Sequence, residues 1–258
     1  MGFYDLSKEE RSKLVKTINR KLKKDLRDNT DSQFIHFYSD EDTYIRKAAY
    51  LETGKLYLIS IKWRNTILKF LHNLFESGSD KIRQTVINAS GEIGKSDFSS
   101  VEEFFAKGLF DSHHRVRNAV IGSIKKMGQK NPLPVLNWAN QYLLHPDKEI
   151  RREICHGIEL RGRTHPQDIL PMLKKLQNDP TSRVRNTLVH VLGQISYKKG
   201  CLETVIKELN SWENRELVTK AIDEIISVHG RYKDFAFYEQ KQAIKYISKN
   251  ANPEINNI

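Results

Sequence analysis

The chain has 258 residues, with 43 Lys and Arg against 32 Asp and Glu, which gives a formal net charge of +11. No run approaches the roughly 18 apolar residues that span a bilayer, and the first residues lack the apolar segment of a signal peptide. We therefore expect a cytoplasmic protein with no membrane partner. The two cysteines lie far apart and predict no disulfide framework. A charge excess of this size favours polyanionic partners, of which nucleic acid is the commonest.

The first predicted element is a basic helix over residues 7–28. Leu14, Ile18 and Leu22 recur at helical spacing and form an apolar stripe. Eight basic residues surround this stripe. They are Arg11, Lys13, Lys16, Arg20, Lys21, Lys23, Lys24 and Arg27. Residues 1–31 are predicted to cap the fold at its N-terminal end.

A short pattern then recurs along the chain: a polar turn, an aliphatic residue, an arginine and a helix. The intervals between successive arginines are 37, 34, 34 and 34 residues. A sixth, degenerate copy has Val218 where the arginine would stand. A constant interval of this length is typical of helical repeat proteins. The five arginines are Arg46, Arg83, Arg117, Arg151 and Arg185.

The fifth copy illustrates the repeating unit. Residues 166–178 predict a first helix, and Asp179-Pro180 ends it because the residue before proline avoids helical angles. Thr181 or Ser182 is a suitable N-cap for a second helix. One helix pair cannot bury its own apolar face, so stacked pairs must share a core.

These repeats resemble HEAT repeats, which also start their second helix with an aliphatic residue and an arginine. The resemblance implies an all-α fold, a right-handed α-α superhelix or solenoid of about six helix pairs with capping helices. We expect one domain over residues 1–258, with the repeats at 32–229 and a C-terminal cap and tail at 230–258. A closing helix is predicted at 235–249, and a frayed tail from residue 250.

The repeating arginine has two interpretations. In HEAT repeats it commonly bonds to an acidic residue or to turn carbonyls of a neighbouring unit, and this structural role is our first expectation. Phosphate contacts are the alternative.

A second position pattern predicts a binding surface. The side chains one, five, eight and twelve residues after each arginine share a helix face that points away from the core. This face is polar and mildly basic, and its glycines permit either close approach of a ligand backbone or close helix packing. Such side chains suit phosphates and base edges, although an ordinary solvated face is the simpler reading. The predicted nucleic-acid-binding residues are Lys47, Asn118, Lys125, Arg152, His156, Arg161, Arg163, Asn186, His190 and Tyr197.

Residues 146–212 also resemble the AlkC and AlkD DNA glycosylases, whose fold is HEAT-like. The matching segments include Ile150-Arg151-Arg152, residues 157–161 and residues 179–186. The resemblance implies excision of alkylated purines by a carboxylate among aromatic side chains. The catalytic candidates are Glu159 and Glu153, with Trp138, Trp212 or Tyr197. A salt-bridge network with nearby arginines is the structural alternative for both carboxylates.

No phosphate-binding loop, metalloprotease helix or nucleophile elbow is present in the sequence. The histidine spacings predict no metal site, and no cofactor is expected. Three functions remain open. The first is binding of nucleic acid, DNA before RNA, without catalysis; the second is alkylpurine DNA glycosylase activity; the third is a protein-binding scaffold.

Overall fold

The computed structural model describes residues 2–252, and every regular element within this range is a helix. The prediction of an all-α helical repeat is confirmed. The described chain forms two compact units that divide between Asn131 and Pro132. Each unit contains three successive helix pairs, and the second helix of each pair has the repeated position, arginine or in the last pair Val218, as its fourth residue.

The first unit begins with the predicted basic helix. Ser7 caps this helix through its side chain, which accepts from the backbone N–H of Glu10. The three pairs that follow place their second helices side by side, because α3 contacts α1 and α5, and α5 contacts α7. The helices of this unit are α1 (Lys8–Asp28), α2 (Ser32–Tyr38), α3 (Thr43–Ile59), α4 (Ile61–Ser77), α5 (Asp80–Gly94), α6 (Glu102–Gly108) and α7 (His114–Lys130).

The second unit repeats the arrangement with shorter and more broken helices. Here α12 lies between α9 and α14 and contacts both. The helices are α8 (Pro132–Tyr142), α9 (Lys148–Gly157), α10 (Glu159–Gly162), α11 (Leu170–Lys174), α12 (Ser182–Gln194), α13 (Cys201–Leu209), α14 (Arg215–Arg231) and α15 (Gln240–Asn250).

One predicted first helix of the second unit is interrupted in the structure. The segment 166–178 is not one helix, because a 3-10 turn at Pro166–Asp168 precedes the five-residue α11. Pro171 lies in the first turn of α11, where its missing N–H prevents a continuous helix through this point.

The C-terminal predictions also need correction. The closing helix begins at Gln240 rather than at 235, because Glu239 and Gln242 form a capping box there, and the backbone N–H of Phe237 donates to the carbonyl of Tyr197. The chain is not frayed at 250–252, since Asn210 bonds the carbonyl of Asn250 and the N–H of Asn252. The rest of the predicted tail, residues 253–258, lies outside the described residues.

The repeated arginine has a structural role, but the turn carbonyls that accept from it belong to its own repeat and not, as was expected, to a neighbouring one. Arg46, Arg117 and Arg185 donate to carbonyls of the turn before their own helix. Arg83 and Arg151 also form paired bonds to the carboxylates of Asp111 and Asp179, 28 residues further along the chain. These carboxylates belong to the turn that opens the next second helix, so the pairs connect adjacent repeats.

Both cysteines lie in the core of the second unit. Cys155 on α9 is fully buried and Cys201 at the start of α13 is nearly so. Burial raises the pKa of both thiols, since a buried thiolate loses its hydration.

Candidate nucleic-acid interface

The two neighbouring second helices α9 and α12 bring together four of the predicted binding residues. Arg152 and His156 extend from α9, and Asn186 and His190 extend from the adjacent α12. With Ser182, Arg183 and Thr187 they line a pocket of about 440 Å³. We call these seven residues the basic pocket. The two residues of each helix are four apart, so each pair occupies one helix face.

Carboxylates position both arginines of the basic pocket. The Nε of Arg152 donates to Glu149 at 2.9 Å, and its Nη2 lies 3.6 Å from a Glu153 oxygen. Arg183 forms an ion pair with the other Glu149 oxygen at 3.1 Å. The Arg183 side chain is 64% exposed, so its remaining N–H groups are open to a ligand.

Glu159 lies buried beneath the basic pocket, with 1% of its surface exposed. One of its oxygens accepts from Arg163 at 2.5 and 3.0 Å, and the other lies 3.0 Å from the Nε2 of His156. Arg163 also donates to the side chain of Gln194 on α12. Glu159 is therefore the centre of a network between two repeats, as the salt-bridge alternative proposed.

The aromatic candidates for a glycosylase site are core residues. Trp138 and Trp212 are buried at 2% and 0% exposure. Tyr197 is 7% exposed, and its ring packs on Tyr232 at 5.3 Å between centroids. Glu153, the second catalytic candidate, is 6% exposed beside Arg152. None of these aromatic rings lines the basic pocket.

Two predicted binding residues lie elsewhere. The guanidinium of Arg161 pairs with Asp168 at 2.6 and 2.7 Å, on the side of the 3-10 turn. The guanidinium of Arg163 donates to the side chains of Glu159 and Gln194. Arg161, Arg163 and the buried Tyr197 are therefore not part of the candidate surface.

In the first unit, the corresponding face contains Lys47 on α3 and Asn118 on α7, both exposed, and Lys125, which is half-buried. Its glycines mostly serve packing. A Cβ on Gly54 would lie 2.6 Å from the Glu92 Cβ, and one on Gly91 would lie 2.8 Å from the Ser123 Cβ. At Gly122, in contrast, a Cβ would meet nothing within 4 Å.

The binding residues predicted from the sequence do not include a basic surface on α1. Five of its exposed cations recur at spacings of three and four residues, so they form one stripe. Their face is opposite the buried Ile18, Leu22 and Leu26. The basic pattern was visible in the sequence, but the repeat register that selected the other candidates does not extend to α1. The α1 stripe consists of Lys13, Lys16, Arg20, Lys24 and Arg27.

No protein-family model and no curated protein matches the sequence. Among solved structures, the MAST/Orbit N-terminal domain is similar to this chain, with a TM-score of 0.51 and 16% identity over 76% of this chain and 96% of that one. Designed armadillo repeat proteins for modular peptide recognition give a TM-score of 0.35 at 15% identity, covering 76% and 98%. A Kap121p mutant gives 0.37 at 16% identity, covering 98% and 30%.

The likeness to the MAST/Orbit domain supports the helical repeat fold and, at this identity, nothing beyond the fold. Within residues 2–252, no helix is both long enough and apolar enough to cross a membrane.

Proposed function

We propose that this chain is a helical repeat protein that binds nucleic acid, DNA in the first instance, through its second helices and α1. The basic pocket carries the proposal, because it places two arginines, two histidines and an asparagine on one face of adjacent repeats. Arginine and histidine suit phosphate oxygens, and asparagine suits phosphates and base edges.

The charge of the whole chain supports this choice over a protein-binding scaffold. A net charge of +11 attracts a polyanion at any orientation. The first and last residues of the α1 stripe are 14 positions apart, or about 21 Å at 1.5 Å per residue. Double-stranded DNA carries one charge per about 1.7 Å of its axis, so this stripe can face several phosphates at once.

We propose binding without base excision. A glycosylase needs an extruded base to stack on aromatic or apolar side chains beside its catalytic group. Here Trp138, Trp212 and Tyr197 are buried, and both oxygens of Glu159 already face Arg163 or His156.

The basic pocket predicts a specific change in salt dependence. In the double variant Arg152→Ala/Arg183→Ala, affinity for a labelled duplex is expected to fall at least about tenfold at about 0.1 M salt. The plot of log K against log salt concentration is expected to become shallower, with the magnitude of its slope lower by about 1.8, because each lost phosphate contact removes about 0.9. Fluorescence anisotropy titrations at several salt concentrations measure both quantities.

The matched control is Lys175→Ala/Lys207→Ala, which removes the same charge from exposed positions on the first-helix side of the same unit. It is expected to keep most of the affinity. If both double variants lose affinity equally, the basic pocket is not the binding surface. Titrations with single-stranded, duplex and branched DNA and with RNA complete the test. Absence of binding to all four at about 0.15 M salt contradicts the proposal and leaves the protein scaffold.

The α1 stripe gives a separate prediction. Replacing Lys16, Arg20 and Lys24 with alanine is expected to lower the magnitude of the slope of log K against log salt concentration by up to about 2.7. These side chains are exposed and alanine favours helices, so circular dichroism is expected to show an intact fold. An unchanged slope in an intact variant removes α1 from the interface.

A further inference from the structure

Three side chains from two adjacent repeats converge at the base of the basic pocket, two of them from its lining. His156 and Glu159 follow each other at the end of α9 and the start of α10, and His190 comes from α12. One possible ligand atom from each lies within 4.8 Å of the other two. The sequence spacings predicted no metal site because the third ligand belongs to a different helix pair.

Two imidazoles and one carboxylate form a donor set that binds zinc with an open fourth position. Tetrahedral zinc holds its ligands at about 2.0–2.1 Å, which places the ligand atoms roughly 3.3 Å apart. The pair His156 Nε2 and Glu159 Oε2 is already at 3.0 Å. The His190 side chain is 49% exposed, so rotation of its ring can close the remaining distance.

The carboxylate of Glu159 is held in place before any metal arrives. Arg163 binds one oxygen, and Gln194 accepts from the same guanidinium. The other oxygen remains directed at His156. Such bonds behind a ligand orient it and raise the affinity of a metal site.

The surrounding charge also permits a cation. Four guanidiniums lie nearby, and each has a carboxylate partner. These carboxylate partners reduce the repulsion that the four guanidiniums would exert on a zinc ion. The arginines are Arg152, Arg163, Arg183 and Arg231, and the carboxylates are those of Glu149, Glu153, Glu159 and Glu224.

We propose that His156, Glu159 and His190 form a zinc site that connects α9–α10 to α12. Three protein ligands leave one coordination position for a water molecule or a ligand oxygen. The site does not depend on nucleic-acid binding, because all three ligands come from this chain.

The test is zinc titration of the chelator-treated full-length protein against a competing chromophoric chelator, without nucleic acid. Wild type is expected to bind one zinc ion. His156→Ala and His190→Ala are each expected to weaken binding by about 100-fold or more, since each removes a direct ligand. Cobalt substitution is expected to give the visible absorption of a tetrahedral site in wild type and to lose it in both variants.

The control is His114→Ala, which removes a histidine exposed at the start of α7 in the other unit. It is expected to bind zinc as wild type does. The proposal is overturned if wild type binds no zinc at micromolar concentration, or if both pocket variants bind as tightly as wild type. The His190 side chain is 49% exposed, so thermal unfolding of metal-free His190→Ala is expected to match wild type. His156→Ala also removes a partner of the buried Glu159, so it is expected to unfold at a somewhat lower temperature. Loss of zinc binding with retained DNA affinity would leave the proposed function standing.

Discussion

Replacement of Asp179 with alanine is expected to lower the free energy of unfolding by about 3–5 kcal/mol. The Asp179 carboxylate is buried and accepts from Arg151 at 2.5 and 3.0 Å and from the N–H of Thr181 at 2.9 Å. Arg151 is itself only 8% exposed. Removing the carboxylate leaves a buried guanidinium without its charge partner, and this is the change that makes broken buried pairs costly.

Urea denaturation of wild type and variant measures this effect. Glu216→Ala is a suitable control, because the Lys220–Glu216 pair is 60% and 80% exposed and exposed pairs contribute less than about 1 kcal/mol. A loss below about 1 kcal/mol for Asp179→Ala would show that the pair does not hold adjacent repeats together.

The same pair predicts a dependence on pH. Burial alone would raise the pKa of Asp179, but the bonds from Arg151 and Thr181 outweigh it and hold that pKa below its usual value. A lowered folded-state pKa contributes stability above the unfolded-state pKa of about 3.9. This contribution is lost as the pH falls through the folded-state pKa. The stability difference between wild type and Asp179→Ala is therefore expected to be full near neutral pH and to shrink below about pH 4.

Two glycines of the first unit are expected to respond to alanine in opposite directions. At Gly54 the new Cβ would lie 2.6 Å from the Cβ of Glu92, an atom fixed by its own backbone. Helices α3 and α5 would have to separate, and overpacking of this kind costs about 1–3 kcal/mol. At Gly122 the Cβ meets nothing, so the higher helix propensity of alanine is expected to stabilise by about 0.5–1 kcal/mol.

Thermal and urea unfolding of the two single variants give this comparison directly. Each variant adds one methyl group to a second helix of the same unit, so chain composition is matched. A stabilised Gly54→Ala would show that α3 and α5 are not packed as closely as the structure places them. A destabilised Gly122→Ala would mean that another surface covers this position.

The repeated aliphatic-arginine motif was sufficient to predict the six helix pairs and a structural role for the arginine, but not that its turn carbonyls come from its own repeat. Its constant interval reports a local structure that each repeat forms in the same way. The motif could not predict where helices break. The interruption after Gly157 and the start of α15 at Gln240 depend on single caps and on bonds to distant residues, such as that between Phe237 and Tyr197.

The candidate site was predictable to the extent that it follows helix periodicity. Arg152 and His156, and likewise Asn186 and His190, share a face because they are four residues apart. The partners of these residues come from other segments. Arg163 bonds to Glu159, and Arg161 bonds to Asp168. His190 lies close to Glu159. These contacts depend on how α10 and α12 pack, and the residue spacing within one repeat does not predict that packing.

The shielding of both thiols has a practical consequence for experiments on this chain. Cys155 and Cys201 are buried with raised pKa values, and maleimide or iodoacetamide is attacked only by accessible thiolates. A cysteine introduced on an open surface, for instance at Gly122, can therefore carry a fluorophore while both natural cysteines are retained. Slow labelling of the unmodified chain under native conditions, and rapid labelling in urea, would also give a simple assay of opening in the second unit.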